Sequence, residues 1–198
     1  MHNAAFITTT LLLSRLHDDA DEEAWNLFDR RFRKVLVATA GRLGLNASDA
    51  EDAAQETMLQ ALRDYRAGRY DRTRGRLSSW ILGIAHHRIS DAKRRGNRST
   101  SRPDHANDCD EAALSDAFEC ELEREIFNQA WEMVRDESQM ASNTLLAFEL
   151  TAIRGVPAGE AARQSEMTVE QVYVARTRVA KRLREVVEDL DRAVRDGL

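Results

Sequence analysis

From Ala24 to Leu190 the apolar residues of this chain return at intervals of three and four, and only two prolines and nine glycines interrupt the 198 residues. A period of 3.6 puts such positions on one face of an α-helix. The pattern therefore predicts an all-α protein. It breaks once, over residues 97–113 (NRSTSRPDHANDCDEAA), where polar and small residues replace the stripe. Two small helical domains joined by a flexible linker are expected, with domain limits at 14–97 and 118–192 and the linker at 98–117.

Ala24, Leu27, Phe28, Phe32, Val35, Leu36 and Leu43 predict a helix from about Asp21 to Leu43, closed by Gly44. Ser48 and Glu51 have capping-box spacing and are expected to open a second helix. Its apolar face is Ala50, Ala54, Thr57, Met58, Ala61, Leu62 and Tyr65; Asp49, Glu51, Asp52, Gln55 and Glu56 lie opposite. Leu77, Trp80, Ile81, Ile84, Ala85 and Ile89 mark a third helix, expected to stop at Gly96. Phe118, Leu122, Ile126, Ala130, Met133 and Val134 begin the second half. A further helix, capped by Ser142 or Asn143, is expected to bury Leu145, Leu146, Phe148, Leu150 and Ile153 and to end at Gly155. Pro157 then starts a short helix over Ala158 to Gln164, and Ser165-Glu166-Met167 makes a turn. Thr168 with Gln171 is a second capping box, opening a long helix whose buried side is Val169, Val172, Val179, Leu183, Val186 and Leu190.

The net charge of −5 hides a segregation. Basic residues dominate 63–102 and acidic ones 104–137. The stretch Tyr70 to Arg95 joins an Arg/Gly loop to a helix with a buried stripe and a cationic outer face, an arrangement that suits nucleic acid. A short helix, a three-residue turn and a capped longer helix match a helix-turn-helix, whose second helix enters the major groove. Arg176, Arg178, Lys181, Arg182 and Arg184 lie on its outer side. Cys109 and Cys120 are the only cysteines and have no metal-ligand spacing, so a reduced cytosolic chain is expected. No apolar run approaches the roughly 20 residues of a membrane span. The apolar segment Ala4–Leu13 lacks the flanks of a signal peptide and is expected to be a frayed tail, or a short strand or helix on the first domain. No Gly-rich phosphate loop, nucleophile elbow or paired histidine motif appears, so neither an enzyme nor a cofactor is expected. Adjacent His86 and His87 point about 100° apart, which argues against a metal site.

Together these stretches resemble the sigma factors of bacterial RNA polymerase, in particular the small extracytoplasmic-function group that has only regions 2 and 4. DAEDAAQETMLQAL (Asp49 to Leu62) is similar to the core-binding signature, and YDRTRGRLSSWILGIAH (Tyr70 to His86) to the promoter-melting segment. VPAGEAARQSEMTVEQVYVARTRVAKRLRE (Val156 to Glu185) is similar to the upstream-element reader.

The resemblance implies a region 2 domain of three to four helices and a region 4 helix-turn-helix domain. It implies that Asp49, Glu51, Asp52, Gln55 and Glu56 face the clamp helices of the largest polymerase subunit, and that the second half rests on the flap of the second-largest. It implies that Arg66, Tyr70, Arg74, Arg76, Trp80, His87, Arg88, Lys93 and Arg94 hold the melted −10 element. Trp80 also lies on the apolar stripe, and Tyr70 reads as pocket wall or loop anchor. Thr168, Glu170, Gln171, Tyr173, Arg176, Arg178, Lys181 and Arg182 would meet the −35 element. An anti-sigma factor is the further partner implied, with promoter DNA and core polymerase, in a cytoplasmic protein that joins the nucleoid when bound to polymerase. Two departures stand out: the family often has Arg-Asn in place of His86-His87, and Tyr173, Val174 and Ala175 replace more polar residues. The alternative is a stand-alone helix-turn-helix regulator that binds duplex DNA as a dimer. The acidic stretch 104–125 is expected to fold over the basic face of 72–95.

Overall fold

The computed structural model describes residues 9–18, 20–98, 110–137 and 139–195. Among them there is no strand. The helices are α1 (Thr9–Arg15), α2 (Glu22–Arg42), α3 (Ala47–Arg66), α4 (Leu77–Arg98), α5 (Glu111–Glu137), α6 (Ser142–Phe148), α7 (Ala158–Gln164) and α8 (Val169–Arg195). A 3₁₀ turn at Arg72–Arg74 precedes α4, and a π-helical turn at Glu149–Ile153 continues α6. The chain forms two compact units: one runs to Glu125 and takes back the chain from Asp191, and the other is Ile126–Leu190. The division falls within α5.

In the first unit α2 packs on α3, α3 on α4 and α1 on α2. Phe28, Phe32, Leu36, Met58, Ile81 and Ile89 are fully buried. Each such side chain contributes about 1.5–3 kcal/mol through area removed from water. The apolar tail is a helix where it is described, with Leu12, Leu13 and Leu16 buried. Two bonds from α3 tie it down: the Tyr65 hydroxyl donates to the Leu13 carbonyl at 2.8 Å, and Arg66 Nε to the Leu16 carbonyl at 3.1 Å. Asp21 caps α2 by accepting from the Ala24 N–H at 2.9 Å, and Arg15 forks onto the same carboxylate at 2.7 and 2.9 Å. The Arg15 bond, then the Ala24 N–H, holds Asp21 below the usual carboxylate range.

Several local expectations shift. α3 opens at Asn46, whose Oδ1 accepts from the Asp49 N–H at 2.9 Å, and not at Ser48. α4 runs past Gly96 to Arg98, because glycine costs a helix only about 1 kcal/mol. α5 starts at Glu111, so part of the expected linker is helix; its residues 99–109 lie outside the described set. Ala141, without a side-chain bond, occupies the cap position of α6. Leu146, Ile153 and Val169 are exposed where burial was expected. Two ion pairs of the acidic stretch go to α2: Glu121 with Arg42 at 3.2 Å and Glu125 with Lys34 at 3.5 Å.

In the second unit Ala147, Leu150, Ala161, Ala162, Val172 and Ala175 form one cluster, with Val156, Ala158 and Met167 against it. Alanines at these positions let the helices approach closely. α7 spans the expected residues. It ends in a Schellman arrangement: Glu166 adopts φ 55°, and the Met167 N–H reaches back to the Ala162 carbonyl at 2.9 Å. The expected capping box opens α8: the Thr168 N–H donates to Gln171 Oε1 at 2.8 Å, and the Gln171 N–H to Thr168 Oγ1 at 3.2 Å.

Candidate nucleic-acid interface

The loop between α3 and α4 is built by local bonds. Gly68, at φ 70°, ends α3, and the Arg69 N–H returns to the Asp64 carbonyl at 2.9 Å. Asp71 then accepts from the Thr73 N–H at 2.9 Å and the Thr73 hydroxyl at 2.7 Å, fixing the 3₁₀ turn. Those two bonds, the hydroxyl's first, hold the Asp71 carboxyl below its ordinary value. The Tyr70 hydroxyl crosses the loop to the Gly75 carbonyl at 3.2 Å. The Tyr70 ring lies 5.2 Å from Trp80 and 6.3 Å from Tyr65. Burial pushes both tyrosine hydroxyls up from their usual value.

These bonds enclose a cleft of about 390 Å³ walled by Tyr70, Trp80, Arg69, Arg74, Arg76 and Ser79. Tyr70 is thus both anchor and wall. Trp80, on the stripe by spacing, is only half-buried and presents its ring to the cleft. Flat aromatic faces ringed by guanidinium groups can hold an unstacked base and its phosphates.

Beyond the cleft, Trp80, His87 and Arg94 recur every seven residues and share one face of α4. Arg94 pairs with Asp91 on that face. Lys93 lies about 120° round the helix from this row. Arg88 is turned toward α3, with its guanidinium 3.8 Å from Glu56 and 3.4 Å from Gln60. Arg66 closes α3 and bonds to Leu16, away from the loop proper. His86 is half-buried and His87 exposed, their rings 5.7 Å apart. Among the described residues no group of three histidines, cysteines or carboxylates is placed to hold a metal.

On α3, Asp52, Gln55 and Glu56 lie opposite the buried line. Asp49 is engaged by its cap, with Asn46 Nδ2 donating to its carboxylate at 2.8 Å, and Glu51 sits on the flank. Leu59, missed in the sequence, is 42% exposed on the same outward line. Its spacing from Asp52 and Gln55 was the available signal.

On α8, Thr168, Glu170, Gln171, Tyr173, Arg176, Arg178, Lys181 and Arg182 are all exposed. A shallow groove of about 540 Å³ runs along Tyr173, Arg176, Thr177, Lys181 and Arg184. Gln171 has its Oε1 committed to the capping box, and Arg182 pairs with Glu185 at 3.2 Å.

Residues 28–99, from within α2 through the end of α4, match the family model for Sigma-70 region 2. The chain carries a sigma-70 region 2 domain. Its 198 residues are consistent with the small extracytoplasmic-function group. The match holds the whole α3–α4 loop, the cleft and the outward face of α3, and it stops before α5. The family consists of non-enzymatic transcription initiation factors that bind core RNA polymerase and promoter DNA. No curated protein matches the chain. No helix among the described residues is long and apolar enough to cross a membrane.

Proposed function

We propose that this chain is a sigma factor that directs core polymerase to promoters through two separate grips on DNA. The loop of residues 67–76 takes an unpaired base of the −10 non-template strand between Tyr70 and Trp80, with Arg74 and Arg76 on its phosphates. The shared face of Trp80, His87 and Arg94 carries the strand onward. Asp52, Gln55, Glu56 and Leu59 form the outward face of α3 that meets the clamp helices of the largest subunit. α7 and α8 read the −35 duplex, and the second half rests on the flap of the second-largest subunit. The observation that carries this reading is the aromatic and arginine cleft inside the region 2 segment. Opening DNA costs a few kcal/mol per unstacked step, so a base must be held once exposed.

The test is run-off transcription with purified core polymerase on a promoter library. Wild-type protein should select a shared pair of elements. Arg76→Ala should weaken opening, and Arg176→Ala should weaken upstream binding. A protein that core polymerase does not retain in co-sedimentation would end this reading. Duplex binding by the free protein as a dimer would favour a stand-alone regulator.

A further inference from the structure

We propose that Val174 recognises a thymine in the upstream duplex by apolar contact with its C5 methyl group. This rests on the reading of α7 and α8 as the upstream-element reader, and goes beyond it by assigning one residue to one base.

The buried line of α8 is Val172, Ala175, Val179, Leu183, Val186 and Leu190. At 100° per residue, the opposite line is Glu170, Val174, Thr177 and Lys181. Val174 is 67% exposed, and its neighbour Tyr173 is 55% exposed. Single exposed apolar residues are ordinary on protein surfaces. This one occupies the outermost line of a cationic helix. Tyr173, Arg176 and Arg184 lie on one flank, and Arg178 and Arg182 on the other. A helix seated in the major groove, about 12 Å wide, puts its outermost line at base edges and its flanks toward the two backbones. The two basic flanks match that division.

The two polar side chains one turn before Val174 have acceptor groups committed to the helix start. Gln171 Oε1 accepts the Thr168 N–H, closing the capping box. Bonds from its own N–H and from Thr168 hold the Glu170 carboxyl below its ordinary value. Val174 has no hydrogen-bonding group. On the major-groove edges of the four bases, the one apolar group is the thymine methyl. Charge complementarity from the arginines on both flanks favours DNA over a protein as the occupant of this face.

The experiment uses the assembled holoenzyme. Promoters are selected from a library randomised upstream, with wild type and with Val174→Ala. One upstream position should be enriched in thymine for wild type, and the variant should lose that enrichment. Deoxyuridine is then placed at that position, which removes only the methyl group. Wild-type promoter occupancy should fall about 4-fold, the worth of one buried methyl group. Val174→Ala should bind thymine and deoxyuridine templates within about 1.5-fold of one another. Since the side chain is exposed, the variant should keep the wild-type melting temperature. A wild type indifferent to deoxyuridine overturns the proposal. So does an equal deoxyuridine penalty in the variant, which would place the methyl against another residue. An equal loss by the variant on both templates would mark a protein contact and also overturns it. Scrambling the upstream element separates the two levels: if that has no effect, the reading of α8 as a duplex reader falls, and this assignment with it.

Discussion

Replacing Tyr70 probes the cleft most directly. Its ring stands 5.2 Å from Trp80 and 6.3 Å from Tyr65, and its hydroxyl holds the Gly75 carbonyl across the loop. Tyr70→Ala removes the stacking platform together with the strut. Base–aromatic stacking is worth about 1–3 kcal/mol per base. At about 1.4 kcal/mol per decade, open-complex formation should fall roughly 5- to 150-fold. Tyr70→Phe keeps the ring and loses one solvent-accessible bond, whose net worth is near the low end of about 0.5–1.5 kcal/mol. Its loss should stay near 2-fold. The assay is opening by holoenzyme on templates carrying a fluorescent base in the −10 non-template strand, alongside an abasic series through that strand. One abasic position should penalise wild type heavily and Tyr70→Ala little, because the variant no longer holds that base. Core binding and melting temperature, measured in parallel, separate loss of the cleft from loss of the fold. Tyr70→Ala within 2-fold of wild type, or an abasic penalty undiminished in the variant, would refute the stacking argument.

Thr168→Ala removes the hydroxyl that accepts the Gln171 N–H. The lost cap should cost about 1 kcal/mol and lower the melting temperature of the second unit by about 4–8 °C, with Thr168→Ser largely unaffected. Asp21 has a depressed carboxyl because Arg15 and the Ala24 N–H favour its charged form. A depressed folded value means stability present above the ordinary value of 3.8 and lost as pH falls through the folded one. Asp21→Asn should therefore melt earlier at neutral pH and show a flatter decline in thermal melts run from about pH 5 to pH 2. Leu59→Asp should leave melting unchanged, since the side chain is exposed. It should weaken core polymerase binding at least about 10-fold by co-sedimentation or interferometry, the worth of one buried leucine.

What the sequence made legible follows how local each cause is. The helices were visible because burial imposes its period on every turn, and the Thr168–Gln171 box was visible because both partners lie within one turn. The Ser48–Glu51 spacing was equally good, yet Asn46 won. Gly44, at φ 95°, reverses the chain, and the Leu45 N–H returns to the Ala40 carbonyl at 3.1 Å, so the next helix can open immediately. The start of α5 was hidden because its first turn, after Asp110, carries no large apolar side chain. Leu114 nonetheless continues the stripe of Phe118 upstream, and it is buried. At the site, composition named the arginines but not their directions. Arg66 and Arg88 share the basic character of Arg74 and Arg76. Only tertiary contacts show that one is spent on the Leu16 carbonyl and the other on Glu56 and Gln60. The Arg88 contact joins the outward side of α3 to α4, so under the proposed docking of α3 on polymerase Glu56 would loosen its hold on Arg88 as it turned to the partner. A cation count along the chain treats these arginines alike, and the pairing geometry separates those left facing the cleft from those that hold the helices together.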